Sequence, residues 1–196
     1  NPTQFNNPDD LIKYPRNLQA DAELLKTAGV DVLFAPEEKD VYTKKSCLTF
    51  NFGRLEQVME GKFRSGHFNG VATIVSKLFH YVNPTHAYFG QKDLQQVAII
   101  NDLVNALSFN VTIVRCPIVR NADGLALSSR NARLSNSQKQ HALILNKTLN
   151  TVVNSLKTGG KLEVILEEAT ANYTKKIGAE PEYIEVVYAH NLETYK

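Results

Sequence analysis

The chain has 196 residues, 43% hydrophobic and 21% charged, with 22 Lys and Arg against 20 Asp and Glu. That length can bury a core, and a net charge of +2 gives neither the basic excess of a nucleic-acid binder nor an attraction to anionic membrane surfaces. No apolar run reaches the roughly 18 residues of a membrane-spanning helix and nothing at the start resembles a secretory leader, so a cytoplasmic protein is expected.

The predicted elements begin with a helix capped by Asn17, carrying Leu18, Ala22 and Leu25 on one face and stopping at Gly29. "VDVLFAP" then reads as a buried strand. The same grammar returns in "FNGVATIVSKLFHYVNP". There Phe68, Val71, Ala72, Val75, Leu78, Phe79 and Val82 recur at helical spacing until Asn83-Pro84, and "HAYFG" supplies the next strand. A third helix carries Leu94, Val97, Ile100, Val104 and Leu107, and "VTIV" at 111–114 is its strand. Three alternations of helix and buried strand predict an α/β fold, a parallel sheet with helices on both faces.

Beyond Pro117 the pattern changes. "NADGLALSSRN" is rich in turn residues, and Leu134-Ser135 opens a long helix with Ala142, Leu145, Leu149, Val152, Val153 and Leu156 inside. A second helix has Leu166, Ala169, Tyr173 and Ile177 on one stripe, and "YIEVVYA" alternates as a strand. We therefore expect two units, 1–117 and a smaller α+β unit over 118–196. Cys47 and Cys116 lack metal-ligand spacing and read as buried, reduced thiols. The chain begins at Asn1 and its one methionine is Met59, which reads as a piece of a longer protein.

Several short stretches have residues suited to chemistry. In "YFGQKDLQQ" Gly90 permits close approach of a ligand to backbone, Lys92 offers a point charge to phosphate, and the following helix presents free N–H groups. Asp93 and Gln96 also fit a capping box, a purely structural task. In "LALSSRN" Ser128 and Ser129 offer two hydroxyls and Arg130 a planar fork for phosphate oxygens; a polar turn is the alternative. Ser135 and Gln138 fit a capping box that leaves Ser128 and Ser129 without that job. "NPTQF" places Gln4 where an amide can orient a polar ligand, and it is also an ordinary loop motif. Arg64 and His67 stand near a helix start with no assigned role. Asp9, Asp10 and Asp21 are able to bind Mg²⁺, or else cap and solvate helices.

"NPTQF", "YPRNLQADAELL", "VDVLFAP", "RSGHFNGVATIVSKLF", "YFGQKDLQQ" and "DGLALSSRNARLS", in this order, closely resemble the pantothenate synthetase family, the pantoate–β-alanine ligases. The resemblance implies a Rossmann-like domain followed by a lid domain, in a homodimer. Its reaction joins pantoate to β-alanine through pantoyl adenylate, consuming ATP, with Mg²⁺, and releasing pyrophosphate and AMP. It further implies Gln4 at pantoate and near β-alanine, and Gln96 as the second pantoate contact. Gly90, Gln91, Lys92 and Asp93 form the ATP segment, with Lys92 at the phosphates and Asp93 toward the ribose. Val119 lies by the adenine, and Leu127, Ser128, Ser129 and Arg130 complete the ATP site from the lid. Lys92, Arg130, Ser128 and Ser129 are the catalytic group. Family members carry a strand and a His-containing phosphate loop upstream of "NPTQF", and Ser65 and Gln91 stand where the family more often has Pro and Glu. The alternatives are another adenylate-forming enzyme on this fold, or a non-catalytic dimerisation or ligand-binding module.

Overall fold

A computed structural model describes residues 1–44 and 46–195. Ten regular elements follow one another: α1 (Pro8–Ile12), α2 (Leu18–Thr27), α3 (Glu38–Val41), α4 (Met59–Phe63), α5 (His67–Val82), β1 (His86–Gly90), α6 (Leu94–Ala106), β2 (Thr112–Cys116), α7 (Asn136–Lys157) and α8 (Leu162–Ile177). Short 3₁₀ turns cover Pro2–Gln4, Gly53–Glu56, Gln91–Asp93 and Ser129–Arg133.

The predicted helix ends are well matched, because their signals are local. Asn17 accepts a hydrogen bond from the Ala20 amide at the start of α2, and Asn83 closes α5 with φ +47°, a left-handed conformation that asparagine tolerates. Helix α7 begins with the expected capping box, Ser135 and Gln138 each bonding the other's backbone.

Strands β1 and β2 pair in parallel, with His86 opposite Thr112 and Gly90 opposite Cys116. Parallel neighbours need a crossover of a dozen or more residues, which α6 supplies. Ile100, Leu103 and Val104 of α6 meet Val71, Ala72, Val75 and Phe79 of α5, and Ala87, Phe89 and Ile113 of the sheet pack against them. A second cluster joins Val152 of α7 to Ile165 and Ala169 of α8, with Ile184 and Val186 against it.

Four expectations are corrected. "VDVLFAP" has no ladder partner among the described residues; Val32 is 78% exposed, and only Phe34 finds an aromatic neighbour, Tyr81, with ring centres 6.1 Å apart. "YIEVVYA" forms one antiparallel bridge, Val187 with Thr194, around a tight turn in which the Leu192 amide donates to Tyr188. In α7 the buried residues are Leu143, Thr148 and Val152, whereas Leu145, Leu149 and Val153 are exposed. Their spacing is helical, but spacing does not say which side of a helix meets a neighbour. Cys47 is exposed and Cys116 half-buried; the lack of metal-ligand spacing, on which burial was expected, does not say whether a thiol is covered.

Candidate active site

Gly90, the last residue of β1, brings the chain to the carboxyl edge of the sheet, where ligands collect in open parallel α/β folds. The following turn, Gln91–Asp93, places Lys92 and Asp93 at the start of α6. Asp93 occupies the N-cap position, yet its side chain makes no cap hydrogen bond. It turns instead to Lys92, whose Nζ donates to Oδ1 at 2.9 Å. The capping-box expectation for Asp93 and Gln96 is therefore corrected: a charged partner one residue away competes for the carboxylate.

The residues following Pro117 make the facing wall. A turn through Gly124, φ +95°, lets the Asn121 amide reach the Leu125 carbonyl and the Leu127 amide reach Val119, which sets Val119 and Leu127 side by side. Ser128 Oγ accepts from the Arg130 amide at 3.3 Å. It caps the Ser129–Arg133 turn, a local task that the sequence reading had not given it. Arg130 lies over Tyr14 and Phe5, 5.1 and 5.9 Å from their ring centres, and donates to both oxygens of Asp10, at 2.7 and 3.4 Å. Arg133 donates to the same carboxylate at 2.7 Å. The hydrogen bonds from Arg130 and then Arg133 hold the Asp10 carboxyl down at about 2.

On the third side the Pro2–Gln4 turn lies on the first turns of α5. His67, buried at the helix start, bonds through Nδ1 to the Gln4 carbonyl at 2.7 Å. A carbonyl only accepts, so Nδ1 carries the proton. Burial lowers the His67 pKa, with the Gln4 bond opposing it and Arg64 adding to it, and the ring is neutral at pH 7. Next to it Gln95, 4% exposed, donates to the carbonyls of Leu55 and Val58 at 2.7 and 2.8 Å. It thereby ties down the segment leading into α4 and its Glu60.

These walls enclose a cavity of about 450 Å³. Gln4 and Gln96 line it, with Gly90, Lys92 and Asp93 along one side and Val119, Leu127, Ser128, Ser129 and Arg130 along another. Gln91 is the one residue of the expected set outside its lining. An adjoining cavity of about 470 Å³ shares Lys92, Asp93, Gln96 and Arg130 and adds Glu60 and Tyr183. Tyr183 donates to Glu60 at 2.9 Å, and burial, with that carboxylate beside it, raises the phenol's pKa. Arg64 and His67 line both cavities, and Tyr14 the first. Sequence reasoning gave none of these a place in the site. For Arg64 and His67 the signal was their position beside Gly66, before α5, and for Tyr14 the "YPR" of its motif. Tyr183, from a distant segment, had no signal.

Of the acidic trio considered for Mg²⁺, Asp10 is engaged by two arginines. Among the described residues no group of three or more His, Cys, Asp or Glu side chains is arranged to hold a metal ion.

The sequence profile described as Pantoate-beta-alanine ligase matches residues 1–196. Pantothenate synthetase of Phocaeicola vulgatus is 57% identical over 150 residues, 76% of this chain and 53% of that protein. Pantothenate synthetase of Bacteroides fragilis is 46% identical over 98% of this chain and 68% of its own length. Thus the chain spans about half of the first relative and about two thirds of the second. The crystal structure of pantothenate synthetase from Thermus thermophilus superimposes over 100% of this chain and 71% of its own, with a TM-score of 0.89 at 38% identity. The pantoate-beta-alanine ligase of Francisella tularensis, solved as a complex with beta-gamma ATP and beta-alanine, covers 96% of this chain and 69% of its own, with a TM-score of 0.76 at 38% identity.

Proposed function

Because the chain belongs to the pantoate-beta-alanine ligase family, we infer that the protein it represents joins pantoate to β-alanine at the expense of ATP. One observation carries this reading down to single residues: two glutamine amides, Gln4 and Gln96, line the same cavity as Lys92, Ser128, Ser129 and Arg130. Amides orient a hydroxy acid without neutralising the carboxylate that must attack, whereas cations and hydroxyls suit phosphate.

In the first step a pantoate carboxylate oxygen attacks the α-phosphorus of ATP. The P–O bond to the β-phosphate breaks, and pyrophosphate leaves with the electron pair. Lys92 leaves Asp93 for the phosphate oxygens and meets the charge that develops there, and Arg130 does the same from the other wall; such preorganised groups act mainly by electrostatics and position. In the second step the amine nitrogen of β-alanine attacks the acyl carbon. The acyl C–O bond to AMP breaks, AMP leaves with the electron pair, and the amine's proton passes to solvent. Gln4, beside the acyl end of the adenylate, serves both steps. Asp93 lies toward the ribose, Gly90 and Gln91 by the nucleotide backbone, and Val119 and Leu127 by the adenine.

We assign 1–117 to the unit that binds nucleotide and acid and 118–196 to the lid. The carbonyls of Asn191 and Leu192, which accept from Arg54, and the Tyr183–Glu60 bond support a lid that packs back on the first unit. A cytoplasmic homodimer is the setting we expect for the full-length protein; no helix among the described residues is long and apolar enough to cross a membrane, and sedimentation would test the assembly. The reaction is tested by ATP–pyrophosphate exchange, which should require pantoate, and by AMP release, which should require pantoate and β-alanine together. Equal exchange with an unrelated carboxylic acid would overturn the acid assignment.

A further inference from the structure

The amide of Gln4 can bind a carboxylate or hydroxyl acceptor only if its NH₂ end, not its oxygen, faces the cavity. Side-chain amides have no preferred end in themselves, so something must choose. The choice can be followed atom by atom. The Gly70 carbonyl is an acceptor only, and the Asn1 side-chain nitrogen donates to it at 3.2 Å. The Asn1 oxygen therefore points the other way, where it accepts from the Tyr42 hydroxyl and from Thr3 Oγ1, the latter at 3.0 Å. With its nitrogen end so fixed, Asn1 donates its second N–H to Gln4 Oε1 at 2.8 Å. That uses the oxygen of Gln4 and leaves the NH₂ for the ligand.

Tyr42 sits 41 residues from Asn1 in sequence and lines neither cavity described above. Its ring is held under Lys77, whose Nζ lies 5.4 Å from the ring centre and donates to the Val41 carbonyl at 2.7 Å. Burial keeps the phenol's pKa above its ordinary value, so the hydroxyl is a donor at neutral pH. The whole turn is seated by Gly70: an added Cβ there would lie 2.1 Å from the Thr3 carbonyl oxygen.

We propose that Tyr42 is a positioning residue that acts through Asn1 to fix the amide of Gln4 with its NH₂ toward the acid substrate. The proposal rests on the acid-binding role given to Gln4 above. Without the Tyr42 hydroxyl, the bonds that orient the Asn1 amide are the 3.2 Å bond to the Gly70 carbonyl and the Thr3 hydroxyl at its oxygen end, and when Thr3 turns its single proton to Gly70, 3.3 Å away, it competes with Asn1 for that carbonyl. Asn1 and Gln4 can then rotate, and part of the population presents an oxygen to an anionic ligand.

The test is Tyr42→Phe in the full-length protein, which keeps the ring under Lys77. Pantoate KM should rise about three- to tenfold, the effect of one hydrogen bond, while ATP KM and thermal midpoint stay unchanged. On a Gln4→Ala background the same change should add nothing, since coupled residues do not act additively. An unchanged pantoate KM in Tyr42→Phe, or a full further rise on the Gln4→Ala background, overturns the relay. Should Gln4→Ala itself leave pantoate KM unaltered, the acid-binding role falls, and the relay is decided by the Gln4 side-chain NH₂ resonances of ¹⁵N-labelled protein. A shift of those resonances in Tyr42→Phe sustains it and unmoved resonances overturn it. Should Tyr42→Phe fail to fold, Asn1→Asp tests the Asn1–Gln4 bond on which the relay depends, because a carboxylate cannot donate to Gln4. Pantoate KM should then rise with no change for ATP, and a proportional rise in both would overturn the proposal.

Discussion

At one end of the cleft, the turn that carries Gln4 is held to α5 by bonds from Asn1 to Gly70 and from His67 to Gln4, which span 69 and 63 residues of sequence. At the other, Arg130 is held by Asp10, 120 residues away, with the arginine side chain 45% exposed. The glutamine end is seated on a buried helix face and its amide has one permitted orientation. The arginine end is an ion pair in contact with water, where such pairs contribute about 0–1 kcal/mol and yield readily to a competing anion. On the proposed reading, a rigid acid site lies beside a releasable phosphate site, which suits an enzyme whose nucleotide must enter and whose products must leave.

The largest effect we expect comes from the phosphate side. Lys92→Ala should cut pantoyl adenylate formation in single-turnover experiments by a factor on the order of 10² to 10³, with stability shifted by no more than about 0.5 kcal/mol. Near-normal adenylation by the folded variant would make Lys92 a turn residue and remove the functional half of the contrast.

Rigidity at the glutamine end is tested by Gly70→Ala. The new methyl has no room against the Thr3 carbonyl, and backbone cannot yield as a flexible side chain would. We expect a loss of about 1–3 kcal/mol in denaturant unfolding and a higher pantoate KM. A wild-type midpoint would mean that the turn is loosely seated. Gln4→Ala should raise pantoate KM about tenfold with little change for ATP; a defect confined to ATP would exchange the two ends of the cleft.

Asp10→Asn tests release at the arginine end. If the carboxylate competes with phosphate for Arg130, ATP KM should fall by about threefold or less at low salt, and a rise would mean that Asp10 positions the arginine for ATP. The same variant bears on acid stability. The folded carboxyl titrates at about 2 against an ordinary 3.8, so the unfolded chain binds the proton first. The pair's contribution is complete above about pH 5 and disappears as pH falls toward 2. It should be within about 1 kcal/mol, since both arginines are exposed to solvent. Acid unfolding of Asp10→Asn should lack that part of the pH dependence. The smallest effect is expected for Asp93→Ala, which loses no helix cap and should move stability by less than about 0.5 kcal/mol while weakening ATP.

The sequence by itself determined the helices α2, α5, α6, α7 and α8, the caps at Asn17 and Ser135, and one strand each at "HAYFG" and "VTIV". A helix closes its hydrogen bonds within four residues and displays its buried face as a period, so both are written in adjacent positions. Every residue that the ordered set of short motifs named for the site, Gln91 excepted, lines the first cavity, but the motifs left out Tyr14, Arg64 and His67, which line it too. Tertiary structure alone decided which apolar runs become strands, because a ladder needs a partner edge that "VDVLFAP" does not find among the described residues. It decided that Asp93 faces Lys92 rather than the helix start, that Asp10 gathers two arginines, and that Leu143 rather than Leu145 enters the core. The orientation of the Gln4 amide is the clearest case. Its two ends are alike in shape and differ only in which can donate, and the groups that choose between them, Tyr42 and Gly70, reach Gln4 through Asn1 only after the chain has folded.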